Sequence, residues 1–201
     1  MQVIPGPDGQ PRCFWCAQTA DFIPYHDHEW GFPVAESRRL FEKLCLESFQ
    51  SGLSWRTILA KRENFRRAFA GFDYHRMAGF GPEQVEDLLT DPGIIRHRGK
   101  IEAVINNAAR AVEMEAREGS LAGFFWSYEP AAGSVPYNAA TSEASNRLAK
   151  ELKRRGWKFV GPTTVHAFMQ AMGLVNDHHP DCITHAAAAA ARAAFTPPGR
   201  G

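Results

Sequence analysis

The chain has 201 residues, 44% of them hydrophobic and 22% charged, with a formal net charge of +1. That length supports one well-buried core, and the composition excludes both a disordered chain and a membrane-embedded one, since no apolar run approaches spanning length. The near-neutral total also excludes binding to nucleic acid by overall basicity, so a phosphate-reading surface has to be local.

Residues 1–11 are rich in proline and glycine and read as a flexible leader. They have neither a basic start nor an apolar centre, so no signal peptide is expected and the expected compartment is the cytoplasm. The next stretch, RCFWCAQTADFIPYHDHEWGFP, is full of Cys, His and aromatic residues but has no periodicity. It reads as an irregular segment pinned by something other than packing. Helical pattern begins with Leu40, Phe41, Leu44, Cys45 and Phe49, which form an apolar stripe ending near Ser51 and Gly52. Ser54 can cap a following helix carrying Trp55, Ile58, Leu59, Phe65 and Phe69, which Gly71 ends.

Gly81 and Pro82 start a short acidic helix, and Asp91-Pro92-Gly93 is a turn. A longer helix presents Ile101, Val104, Ile105, Ala108 and Val112 on one face. LAGFFWSYEP is a short apolar helix or packed turn, and residues 130–142 read as a loop. A helix from Glu143 to Arg155 ends at Gly156. Gly161 and Pro162 then make a tight connection into another helix, which stops at Gly173. The last helix, His185 to Phe195, is almost all alanine. With β-branched alternation nearly absent, the fold class is all-α. Residues 12–185 form one globular domain of two packed helical lobes, followed by an alanine-rich helix and tail over 186–201.

Local basicity exists in two places. Arg147, Lys150, Lys153, Arg154, Arg155 and Lys158 face one acid, Glu151, and Arg96, His97, Arg98 and Lys100 form a second cluster. Either can be a solvated helix face. The first leads into a helix-hairpin-helix pattern in which Gly161, Thr163 and Thr164 stand at a helix N-terminus, a seat for backbone phosphate.

Four cysteines are too few and too scattered for a disulfide framework and suggest a metal or buried thiols. Cys13-x2-Cys16 with His26 and His28 nearby is one half-site. His178 or His179 with Cys182 is another. A metal held by both would staple the irregular N-terminal segment to the C-terminal end, and four protein ligands would make the site structural.

The blocks RCFWC, YHDHEWG, CLESFQSGLSW, GIIRHRGKI, FVGPTTVHAFMQ and GLVNDHHPDC, in this order, resemble the motifs of the DNA-3-methyladenine glycosylase I family over about Arg12 to Cys182. The resemblance implies a helix-hairpin-helix DNA glycosylase fold with a structural zinc bound by Cys13, His26, His178 and Cys182, leaving out Cys16, His28 and His179. It implies hydrolysis of the N-glycosidic bond of 3-methyladenine in alkylated double-stranded DNA, and a monomer is expected because a protein that wraps and bends a duplex can act alone. Glu47, otherwise an ordinary surface acid, becomes the residue on which recognition and catalysis rest. Tyr25 and Trp55, otherwise core, become stacking walls around a flat cationic ring. Phe22 stands where the family commonly has a second tyrosine, so stacking survives and a hydroxyl hydrogen bond does not. Leu53, beside Gly52 in the SGLS turn, fits either a wedge for the gap left by a flipped base or a buried junction leucine. Lys158 and the hairpin would hold phosphates. Asp177 reads as structural. No lysine nucleophile stands at the hairpin or the pocket motif, so strand cleavage is not expected. Two other classes compete: a non-catalytic zinc-stabilised DNA-binding module, which has no need of Tyr25, Glu47 and Trp55 together, and a zinc hydrolase, which needs an open metal position.

Overall fold

The computed structural model describes residues 3–17 and 20–199; what the sequence suggests for residues 1, 2, 18, 19, 200 and 201 lies outside them. The protein is mostly helical, and the all-α expectation is corrected at its start. Val3–Pro5 (β1) pairs antiparallel with Pro11–Cys13 (β2), Ile4 opposite Arg12. The prolines and glycines that suggest a loose leader are here the turn and edge residues of a hairpin. Arg12, 4% exposed, pins it by reaching both Asp8 at 2.6 Å and Asp27 at 2.8 Å. The segment expected to be irregular is likewise broken into short helices: Phe14–Ala17 (α1), a 3-10 turn Ala20–Phe22, and Ile23–His28 (α2).

Ser37–Gln50 (α3) runs through the middle of the protein. Every residue from Leu40 to Phe49 is buried, so this helix has no solvent face along that stretch, and its polar residues have to find partners inside. Trp55–Ala60 (α4) follows the exposed turn 51–54, with Ser54 accepting from the Thr57 N–H as the capping reading requires. The single helix expected from Trp55 to Phe69 is in fact interrupted at Lys61 and resumes as Arg62–Ala68 (α5). Apolar spacing carries across the break because Phe65 and Phe69 stack against Phe49 and Phe72 in one buried row.

Tyr74–Met77 (α6) and Pro82–Thr90 (α7) lead to the long helix Arg98–Glu118 (α8), and Leu121–Trp126 (α9) is wholly buried. Glu143–Arg154 (α10) starts on a reciprocal Ser142/Ser145 cap. Its connection to Pro162–Ala171 (α11) contains Gly156 and Phe159, both at positive φ. After α11 the chain turns at Gly173, where φ is +78° and an added Cβ would lie 2.5 Å from the backbone of Pro33. That contact brings the N-terminal segment onto the end of α11. His185–Ala194 (α12) packs through Ala188, with Phe195 against Trp126. No described helix is long and apolar enough to cross a membrane.

Candidate active site

Because α3 is surrounded, its C-terminal half carries polar side chains into the interior. Glu47 is 6% exposed and opens onto a cavity of about 460 Å³. α2 and the turn before it supply Tyr25 and Phe22, α1 supplies Trp15, and α4 supplies Trp55. The Tyr25 and Trp55 rings lie 5.3 Å apart at 42°, while Trp15 meets Phe22 and Trp30 edge to face. The indole N–H of Trp55 is buried without a partner among the described residues. A buried donor left so costs about 1–3 kcal/mol, which an acceptor on a ligand would recover. The structure thus brings Phe22, Tyr25, Glu47 and Trp55 around one space, which also touches Gln50, Arg56, Asn138 and Gln170.

The sequence reading missed Lys43. One turn before Glu47, it is buried and places its ammonium 2.7 Å from Glu47 Oε1, 2.8 Å from the Tyr25 hydroxyl and 3.3 Å from the centre of the Trp55 ring. Burial, opposed by Glu47, pushes its pKa down to about 8. Lys43 stands just before the pocket motif and is not among the residues that border the cavity, so it adds a buried cation behind the wall rather than a nucleophile in it. The available signal was a lysine set four residues from Glu47 on an apolar stripe.

Asp177 borders the cavity as well. Its oxygens accept from the Asn138 backbone N–H at 2.8 Å and from Gln170 at 2.7 Å, tying the 130–142 loop to α11. Burial raises its pKa against those two bonds.

Beside the cavity, Leu53 is 41% exposed in the turn after Gly52, and Phe159 is 42% exposed in the α10–α11 connection. Both segments are held from behind. The Ser48 hydroxyl reaches the Phe159 carbonyl, and Lys100 donates to the Phe49 and Ser51 carbonyls. Buried Asn107 exchanges two hydrogen bonds with the backbone of Lys158. Lys158 and Thr163 are exposed, and the N-cap of α11, Gly161, offers no side-chain cap, so the first-turn N–H groups of Thr163 and Thr164 have no cap among the described residues. Of the expected basic clusters, Lys100 is committed inside, and Arg154 and Arg155 pair with Glu151.

Cys13, His26, His178 and Cys182 converge at the other end of α2, all buried, with one donor atom from each within 4.8 Å of the rest. His26 donates from Nδ1 to Asp27 at 2.7 Å, which turns Nε2 inward, and His178 donates from Nε2 to the Trp30 carbonyl at 2.9 Å, which turns Nδ1 inward. Such outer bonds fix the tautomers that metal ligation needs. Gly31 leaves room for this, since a Cβ there would meet His178 at 2.9 Å. The Cys182 thiol is held well below its ordinary pKa, first by its hydrogen bond with Cys13 and then by the two histidines. Cys16 is buried outside the cluster, His28 is exposed, and His179 contributes its backbone N–H to Cys13. The group suits a four-coordinate metal ion.

A family model described as methyladenine glycosylase matches residues 15–185. The chain belongs to the methyladenine glycosylase family. A relative named DNA-3-methyladenine glycosylase 1, from Escherichia coli, is 48% identical over 177 residues, which cover 85% of this chain and 95% of the relative. A DNA-3-methyladenine glycosylase from Haemophilus influenzae is 44% identical over 177 residues, 85% of this chain and 96% of its own. Among solved structures, a 3-methyladenine DNA glycosylase I is 49% identical and superposes with a TM-score of 0.82, covering 87% of this chain and 99% of the other. The glycosylase I from Staphylococcus aureus, solved to explain 3-methyladenine recognition, is 36% identical with a TM-score of 0.82, covering 87% and 96%.

Proposed function

We infer that this chain is a monofunctional DNA-3-methyladenine glycosylase, acting as a monomer on alkylated double-stranded DNA in the cytoplasm. The observation that carries the reading is the cavity in which the Glu47 carboxylate faces the aromatic walls of Tyr25 and Trp55. Adenine methylated at N3 in DNA is a flat cation, and an aromatic face and a carboxylate attract such a ring, while the carboxylate accepts from its exocyclic N–H. Departure of the base neutralises that charge, so the leaving group needs no acid, and selective binding of the extruded nucleotide supplies much of the catalysis. Phe22 adds a stacking edge without a hydroxyl. Lys43 is paired and covered by Trp55 rather than free to attack the sugar, which suits hydrolysis by water without strand cleavage.

Gly52 and Leu53 form the wedge turn in this reading, and Lys158, Gly161, Thr163 and Thr164 hold backbone phosphates. Cys13, His26, His178 and Cys182 hold zinc. Zinc bond lengths give tetrahedral edges of about 3.3 Å between nitrogens and about 3.6 Å between nitrogen and sulfur. The cluster has 3.2 Å between the histidine nitrogens and 3.5, 3.8 and 3.8 Å from nitrogen to sulfur. Zinc supplies cross-linking there and no chemistry at the base.

The test is chromatography of bases released from methylated duplex DNA. Wild type is expected to release 3-methyladenine, and Glu47→Gln to lose at least about tenfold of that rate, the order of one charge-assisted contact. Borohydride should trap no covalent protein–DNA adduct. Folded wild type that binds duplex but releases no base would instead be a DNA-binding module.

A further inference from the structure

Lys43 lies behind the cavity wall and has no part in the chemistry above. Its ammonium nonetheless touches three of the four residues assigned to base recognition: Glu47, the Tyr25 hydroxyl and the face of Trp55. A carboxylate and an aromatic face are what a pocket uses to attract a cation, and here both already hold one. The remaining charges around Lys43 are engaged with each other: Glu29 from the end of α2 with Arg62 of α5 at 2.6 Å, and Arg39 with Glu42 on α3 at 3.2 Å. Of these neighbours only Lys43 pairs with Glu47, and the other charged residues of the cavity are engaged elsewhere, Arg56 with Asp21 at 3.6 Å and Asp177 with Asn138 and Gln170.

We propose that Lys43 is a positioning and specificity residue: it fixes the Glu47 carboxylate and, by partly neutralising it, reduces the pocket's preference for cationic purines over neutral alkylated ones. The proposal rests on the glycosylase reading of the same site. It gives the pocket a wider ligand class than a lone carboxylate would, with neutral N-alkylated purines bound beside the charged lesion. Burial holding Lys43 near a pKa of about 8 means that the balancing charge is present at neutral pH and is lost in alkali.

Two probes separate the charge effect from simple packing: 3-methyladenine, which is neutral, and 3,9-dimethyladeninium, a fixed cation. Their affinities for the full chain are read by quenching of tryptophan fluorescence. In Lys43→Met the cation-to-neutral affinity ratio is expected to rise about tenfold, the order of removing one nearby charge in a partly screened site, while Lys43→Arg keeps the wild-type ratio. In wild type the ratio should climb between pH of about 7 and about 9.5, and in Lys43→Met it should stay flat. A ratio identical in all three proteins overturns the proposal even if both affinities fall, because a merely structural lysine moves them together. Should Lys43→Met fail to fold, a flat wild-type pH profile overturns it on its own. Failure of wild type to release 3-methyladenine and to bind either probe marks failure of the glycosylase reading itself, and the proposal falls with it before any variant is made.

Discussion

Burying a lysine makes stability depend on pH with a fixed sign. Lys43 titrates near 8 in the folded protein against an ordinary 10.5, so between those values the unfolded chain binds the proton and the folded chain does not. Stability should therefore rise with pH across that window and, below about 8, carry the full cost of the buried ammonium. Urea denaturation of wild type and Lys43→Met at a series of pH values reads this as a wild-type stability that rises relative to the variant's from about pH 8 to about 10.5. A difference that stays level would mean that the lysine pays no desolvation cost. The sequence made Glu47, Tyr25 and Trp55 legible only through motif resemblance, since each alone has an ordinary structural role. Lys43 was not legible, because a Lys and a Glu one turn apart normally form a solvated pair. Only the packing of other helices around all sides of α3 removes the solvent from theirs.

Among the elements, the α10–α11 connection depends on one side chain from a third helix. Asn107 of α8 is fully buried and satisfies both the N–H and the C=O of Lys158. Asn107→Ala should cost about 1–3 kcal/mol of stability and loosen the connection. Duplex affinity is then expected to fall while binding of free 3-methyladenine to the pocket is retained; equal loss of both would mean that the connection does not serve the duplex separately. Element ends were mostly legible: Ser54 caps where expected, Gly156 turns after α10, and Gly173 closes the segment after α11. The break at Lys61 was not, because Ile58, Phe65 and Phe69 keep helical spacing across it. The β1–β2 hairpin was hidden for the opposite reason, its strands being too short to show alternation.

For the molecule as a whole, a metal held by the Cys/His cluster would tie residues 3–30 to the segment after α11. Removing the metal by chelation, or one ligand by Cys13→Ala, should lower the unfolding free energy by about 3 kcal/mol or more. Base binding should fall with it, since Phe22 and Tyr25 sit just before His26. Metal content by emission spectroscopy, followed with thermal melting, checks this; a Cys13→Ala protein with full metal content and an unchanged melt would remove Cys13 from the site. Spacing alone left Cys16, His28 and His179 open as ligands, and what separates them from the cluster, together with the Asp27 and Trp30 contacts that turn His26 and His178 inward, belongs to the folded state.

Cys13 and Cys182 also bracket nearly the whole chain, and this sets an order on how the protein can be completed as it is made. A ribosome delivers the first cysteine early and the second only after α11 has been translated. Helices α3 to α11 can pack in the meantime, but residues 3–30 have no cluster to join until Cys182 emerges. A chain cut short before Cys182 would keep Glu47, Trp55 and the Lys43 ammonium that reaches the Tyr25 hydroxyl, but would lack the fourth ligand with which a metal could close the segment behind Tyr25.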